Sequence, residues 1–104
     1  MIQVELELWL GSGSELGEEF QVLSPVRSRT IVEIPEGTSL WQLLRTMASR
    51  NPRLQDLLLD QENSCLRSDL VILKNNRLDS RSKLLNEVLK EGDQIRLVPI
   101  YAGG

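Results

Sequence analysis

The last two residues, Gly103 and Gly104, carry the most suggestive chemistry in the chain. Glycine has no side chain, so a Gly-Gly end can enter a narrow channel extended and present a bare carboxylate. A carboxylate is a poor electrophile until it is activated. Coupling to ATP would make it an acyl-adenylate, whose carbonyl a sulfide or an amine can attack. The competing reading is a frayed end, since chain termini are commonly poorly ordered.

The other reactive residue types give less. The stretch GSGSELG (residues 11–17) follows a strand-like run, as a dinucleotide-binding loop would. Leu16 takes the place of the third glycine, and the acids Glu18 and Glu19 follow where a pyrophosphate would sit. It reads as a turn. Cys65 is the single cysteine and histidine is absent. Cys-His and Ser-His nucleophile pairs are therefore excluded, and no ligand set for a structural zinc remains. The neighbouring acids Glu18-Glu19 and Glu91/Asp93 lie in polar stretches, where hydrated carboxylates are expected. The residues thus supply no catalytic set of the chain's own, no metal site and no bound cofactor.

These residues must be positioned by local elements, and the hydrophobic periodicity proposes them. Ile2, Val4, Leu6 and Leu8 alternate with Gln3, Glu5, Glu7 and Trp9, the period of a half-buried strand. Residues 11–26 read as a long loop. Thr30, Val32 and Ile34 mark a second strand, pairing antiparallel with the first, and Pro35 ends it. Leu40, Leu43, Leu44 and Met47 fall on one helix face. Ser39 with Gln42 forms a capping-box pattern, and Asn51-Pro52 stops the helix. RLQDLLLD suggests a short second helix, and QENSCLRS a loop. DLVILKNNRL suggests a strand, an Asn-Asn turn and a return strand near Leu78. KLLNEVLKEGD suggests a helical turn or two closed by Gly92-Asp93, and QIRLVPI a last strand. Strands grouped around one main helix predict an α+β domain whose helix covers one face of a mixed sheet.

The uncovered face of such a sheet should be polar. Here parity places Trp9, Val98 and Ile100 on it, with Leu78 nearby. Scattered exposed apolar residues are ordinary, but a contiguous patch marks a partner surface. Trp41 reads as core or core edge. Composition narrows the partner. The 104 residues carry 26% charged side chains and a net charge of -3, without a basic run, which argues against nucleic acid. No stretch is apolar for long enough to span a membrane. The first residues lack the pattern of a signal peptide, and a lone cysteine fits a reducing compartment. We therefore expect a cytoplasmic protein of one domain over residues 1–104, ending in a flexible Gly-Gly tail.

The segment LKEGDQIRLVPIYAGG resembles the C-terminus of the MoaD/ThiS sulfur carriers, of the ubiquitin-like β-grasp superfamily. Leu89, Gly92-Asp93, the alternating Ile95 and Leu97, Pro99 and Ala102-Gly103-Gly104 carry the likeness. IPEGTSLWQLL resembles the family's entry into its main helix, and VILKNNRL its central hairpin. Residues 11–26 and 53–67 are longer than in typical members. The resemblance implies a β-grasp of four to five strands packed on one main helix. It implies that a ubiquitin-activating-like adenylyltransferase uses ATP to adenylate Gly104, which becomes a thiocarboxylate, while Gly103 threads the partner's channel. A sulfurtransferase or cysteine desulfurase would supply the sulfur. Trp9, Leu78, Val98, Ile100 and Tyr101 become the implied partner-binding residues. Pro99 and the Ala-Gly-Gly ending are closer to the molybdopterin synthase small subunit than to the thiamine carrier. That likeness implies molybdopterin biosynthesis, with the synthase large subunit as a further partner. Leu97-Val98 stand where the family has paired aromatics, and Ile100 where it has a second proline. A ubiquitin-like modifier conjugated through Gly104, or a β-grasp binding module without tail chemistry, would share the same fold.

Overall fold

The computed structural model describes residues 1–10, 16–17, 19–60, 62 and 65–100. Strand β1 (Ile2–Leu8) lies mid-sheet, antiparallel to β3 (Arg27–Ile34) and parallel to β7 (Gln94–Pro99). Strand β6 (Leu70–Lys74) pairs antiparallel with β7, and β2 (Gln21–Ser24) extends the other edge beside β3. The five-stranded order is β2-β3-β1-β7-β6. The period-two pattern explains the layering. Ile2, Val4, Leu6 and Leu8 are buried on the helix side, in register with Ile95 and Leu97 of β7.

Helix α1 (Leu40–Arg50) covers that side and buries Leu40, Leu43, Leu44, Met47 and Ala48. Both halves of its capping box form. The Gln42 backbone N–H donates to Ser39 Oγ at 3.2 Å, and the Ser39 N–H to Gln42 Oε1 at 2.9 Å. Asn51 ends α1 and caps α2 (Pro52–Leu58), accepting from the Leu54 N–H at 3.2 Å. Its amide also donates to the Leu16 carbonyl at 3.0 Å, tying the loop after β1 to the helix junction. The buried apolar side chains of sheet and helices form one cluster. Among the described residues no helix is long and apolar enough to cross a membrane.

Four expectations need correction. Residues 21–24, inside the expected loop, form β2, because the edge of β3 offers unpaired backbone groups and Gln21-Val22-Leu23 can extend along it. Within the second expected loop, β5 (Cys65–Leu66) pairs with β4 (Leu59–Asp60), and the burial of Leu66 anchors that pair. No return strand follows the Asn75-Asn76 turn. Both asparagines adopt positive φ, 53° and 64°. Arg77 then makes a single bridge to Lys74, and Ser80 caps helix α3 (Arg81–Asn86). That cap starts the helix two residues earlier than the apolar pattern suggested. Finally, Asp93 is buried rather than hydrated. It accepts from Asn75 Nδ2 at 3.0 Å and from the Lys90 N–H at 2.8 Å, and it lies 3.6 Å from Lys74 Nζ. The turn at 75–76 folds over the start of β7, and this closes Asp93 off from water. Lys74, itself buried, completes the group with an ion pair to Glu87 at 2.7 Å.

Candidate functional site

The chain leaves the sheet along β7, which is hydrogen-bonded on both sides. The Trp9 N–H donates to the Leu97 carbonyl at 2.9 Å. The next bond of a parallel ladder would come from residue 99 back to Trp9. Proline has no N–H, so the β1–β7 ladder stops there. On the other side Ile100 stays attached, its N–H donating to the Asp69 carbonyl at 2.7 Å. Asp69 in turn pairs with Arg67 at 2.6 Å. Residues 94–100 are thus hydrogen-bonded into the sheet. Tyr101, Ala102, Gly103 and Gly104, named from the sequence, lie outside the described residues.

The face of the sheet away from α1 has two halves. One is a cluster around Trp9. Trp9 directly follows β1, two residues after Glu7, and shares this face with it. The indole N–H of Trp9 donates to Glu7 Oε2. Arg27 Nη2 donates to Glu7 Oε1 at 3.1 Å, and Arg96 Nε pairs with Glu7 Oε2 at 2.9 Å. Both guanidiniums also stack on the indole, Arg27 at 5.0 Å and Arg96 at 5.5 Å from the ring centroid, where the ring quadrupole attracts a cation. The Glu7 carboxylate is almost covered by these three side chains, with 8% of its side chain exposed. Burial alone would push its pKa up. The hydrogen bonds from Trp9 and Arg27 and the charges of Arg27 and Arg96 outweigh burial and hold it below the ordinary carboxylate range. In the next row Arg29 pairs with Glu5 at 3.4 Å.

The other half is aliphatic. Val98 lies opposite Val71, and Arg96 opposite Leu73. All are partly exposed, and Ile100 beyond them is 54% exposed. The structure therefore brings Trp9, Val98 and Ile100 to one end of one face. Leu78 is 70% exposed but follows the turn at the Lys74–Ile95 end, past the free edge of β6. It stands apart from the other three. Sequence reasoning did not single out Glu7, Arg27, Arg96, Val71 or Leu73. Alternation put Glu7 beside Trp9, but the arginines come from β3 and β7, and only the strand order shows that both flank β1.

The family model of the ThiS family matches residues 17–104. The chain belongs to the ThiS family. Its fold is the ubiquitin-like β-grasp, shared with solved structures at low sequence identity. The crystal structure of the modifier SAMP1 from Haloferax volcanii superimposes with a TM-score of 0.68 at 19% identity, over 98% of this chain and 99% of that one. A putative molybdopterin converting factor, subunit 1, from Pyrococcus furiosus gives 0.62 at 19%, covering 97% and 100%. Urm1 from Trypanosoma brucei gives 0.62 at 23%, covering 98% and 95%. No curated protein matches the chain in sequence. In this ThiS-family chain the sheet is complete through Pro99, and the family match continues through the two terminal glycines.

Proposed function

We propose that this ThiS-family chain is a sulfur carrier that works as one β-grasp domain and presents residues 101–104 to its partners. In this reading the Gly104 carboxylate attacks the α-phosphate of ATP in the active site of a ubiquitin-activating-like adenylyltransferase. Pyrophosphate leaves and an acyl-adenylate forms. The terminal sulfur of a persulfide on a sulfurtransferase or cysteine desulfurase then attacks the carbonyl and expels AMP. A thiol attacks the resulting acyl disulfide, forming a disulfide with the sulfur donor and releasing the carrier with its terminal sulfur. The product is a thiocarboxylate on Gly104. The chain is a co-substrate rather than an enzyme. It binds no cofactor itself, since ATP is consumed by the partner. Gly103 lets the end lie extended in a narrow channel. We place the reaction in the cytoplasm and, from the Pro99 and Ala-Gly-Gly ending, in molybdopterin or thiamine-type cofactor synthesis. In the molybdopterin case the synthase large subunit receives the sulfur.

One observation carries this reading: the ThiS-family match extends from residue 17 through Gly103 and Gly104. The test is ATP–pyrophosphate exchange by the activating enzyme of the same organism. Exchange should require the chain and vanish when Gly104 is deleted. Exchange that is indifferent to the deletion, or absent with the intact chain, would falsify the carrier role.

A modifier role shares every step up to the adenylate. The likeness to SAMP1, called a small archaeal modifier protein, keeps it in view. There a lysine amine attacks instead of the persulfide. An affinity-tagged chain recovered from cells with isopeptide-linked targets would select the modifier role, and recovery of free chain alone would select the carrier role.

A further inference from the structure

We propose that Arg96 and Arg27, braced against Trp9, form a docking site for an acidic side chain of the activating partner; the carrier reading above enters only in naming that partner. Two guanidiniums share one carboxylate, Glu7, so the cluster keeps one positive charge. It does so in a chain whose net charge is -3. The adjacent Arg29–Glu5 pair is balanced and does not cancel that charge. The excess therefore lies on the open face, beside the aliphatic residues Val98 and Val71 and near the point where the chain leaves the sheet.

The donor geometry says what the site takes. A guanidinium carries five N–H donors in a planar fork. Glu7 approaches Arg96 at Nε, and no partner occupies the two-pronged Nη1/Nη2 edge among the described residues. Arg27 gives Nη2 to Glu7, and its Nε is buried without a hydrogen-bond partner. Its Nη1 also lacks a partner among the described residues. The Arg96 and Arg27 side chains are 36% and 39% exposed. A two-pronged N–H edge matches the two oxygens of a carboxylate. The shared contacts to Glu7 and to the indole hold both guanidiniums in place before any partner arrives, so little side-chain freedom is left to lose on docking. The Val71–Val98 strip alongside would supply the apolar part of the same contact.

Equilibrium binding of the full chain to the activating enzyme, measured by calorimetry without ATP, tests this apart from the tail chemistry. Arg96→Glu and Arg27→Glu should each raise Kd by about tenfold or more, and Kd of the unaltered chain should rise with salt. Arg96→Lys keeps the charge for Glu7 but loses the planar edge. It guards against misfolding of the glutamate variants and should still raise Kd. Arg29→Glu on the same face should change Kd less, and deletion of Gly104 should abolish exchange while leaving binding nearly intact. Binding without adenylation of the unaltered chain would sink the carrier reading and leave the docking site standing. An unchanged Kd in the Arg96→Glu and Arg96→Lys variants, or no binding at all, would overturn the docking site. So would a dimer of the isolated chain that sediments as a monomer after Arg96→Glu, because a second copy would then be the occupant.

Discussion

Glu7 and Asp93 are carboxylates withdrawn from water on opposite faces of the sheet, and both titrate below the ordinary range. For Asp93, burial pushes the pKa up, but the Asn75 and Lys90 hydrogen bonds and the charge of Lys74 more than reverse it. A carboxyl group whose folded pKa is depressed adds stability above its unfolded value, near about 4. That stability is lost as pH falls through the lower folded value. Urea unfolding should therefore show stability declining from about pH 5 downward. In Glu7→Gln the neutral amide no longer titrates, so the variant should be less stable at neutral pH and should show a shallower acid decline. Parallel acid profiles for the two proteins would remove Glu7 from the account. Parity in the sequence told which face Glu7 occupies. Its burial depends on arginines about twenty and ninety positions away, which a local pattern cannot report.

Among the elements, β1, β3, α1 and β7 were legible because each repeats one periodicity over a full span and ends on a strong signal, such as the Ser39–Gln42 box or Pro35. Helix α2 and strand β6 were legible as well, whereas the short strands β2, β4 and β5 were not. Strand β2 exists because β3 offers it an edge, and β5 because Leu66 has a core to enter. Neither Gln21–Ser24 nor Cys65–Leu66 is long enough to show a period. Asn51-Pro52 reads in the sequence as a stop, and in the structure the same junction is also a start. One side chain caps α2 and holds Leu16, so Asn51→Ala removes both contacts. It should cost about 1–2 kcal/mol in denaturant unfolding, with the loop around Leu16 exchanging its amide hydrogens faster. A loss confined to a few tenths, with no change in exchange, would mean that the cap is redundant.

At the scale of the whole molecule, the sheet separates the core from the proposed partner surface. The helix-covered face holds the core, and the open face carries the arginine cluster and the aliphatic strip. Strand β7 belongs to both and leads out to the tail. Its Ile95 and Leu97 are buried, whereas Val98 is partly exposed and Ile100, just beyond the strand, is exposed. This division predicts that deleting Gly104 leaves the melting temperature unchanged while abolishing activation. The central claim is that Gly104 carries sulfur, and intact-mass analysis tests it most directly. The chain is incubated with its activating enzyme, ATP and a sulfide source. If Gly104 carries sulfur, the mass rises by the exchange of one oxygen for one sulfur, localised to Gly104 and absent from the deletion variant. A chain of unchanged mass after the adenylate has formed and turned over would contradict it.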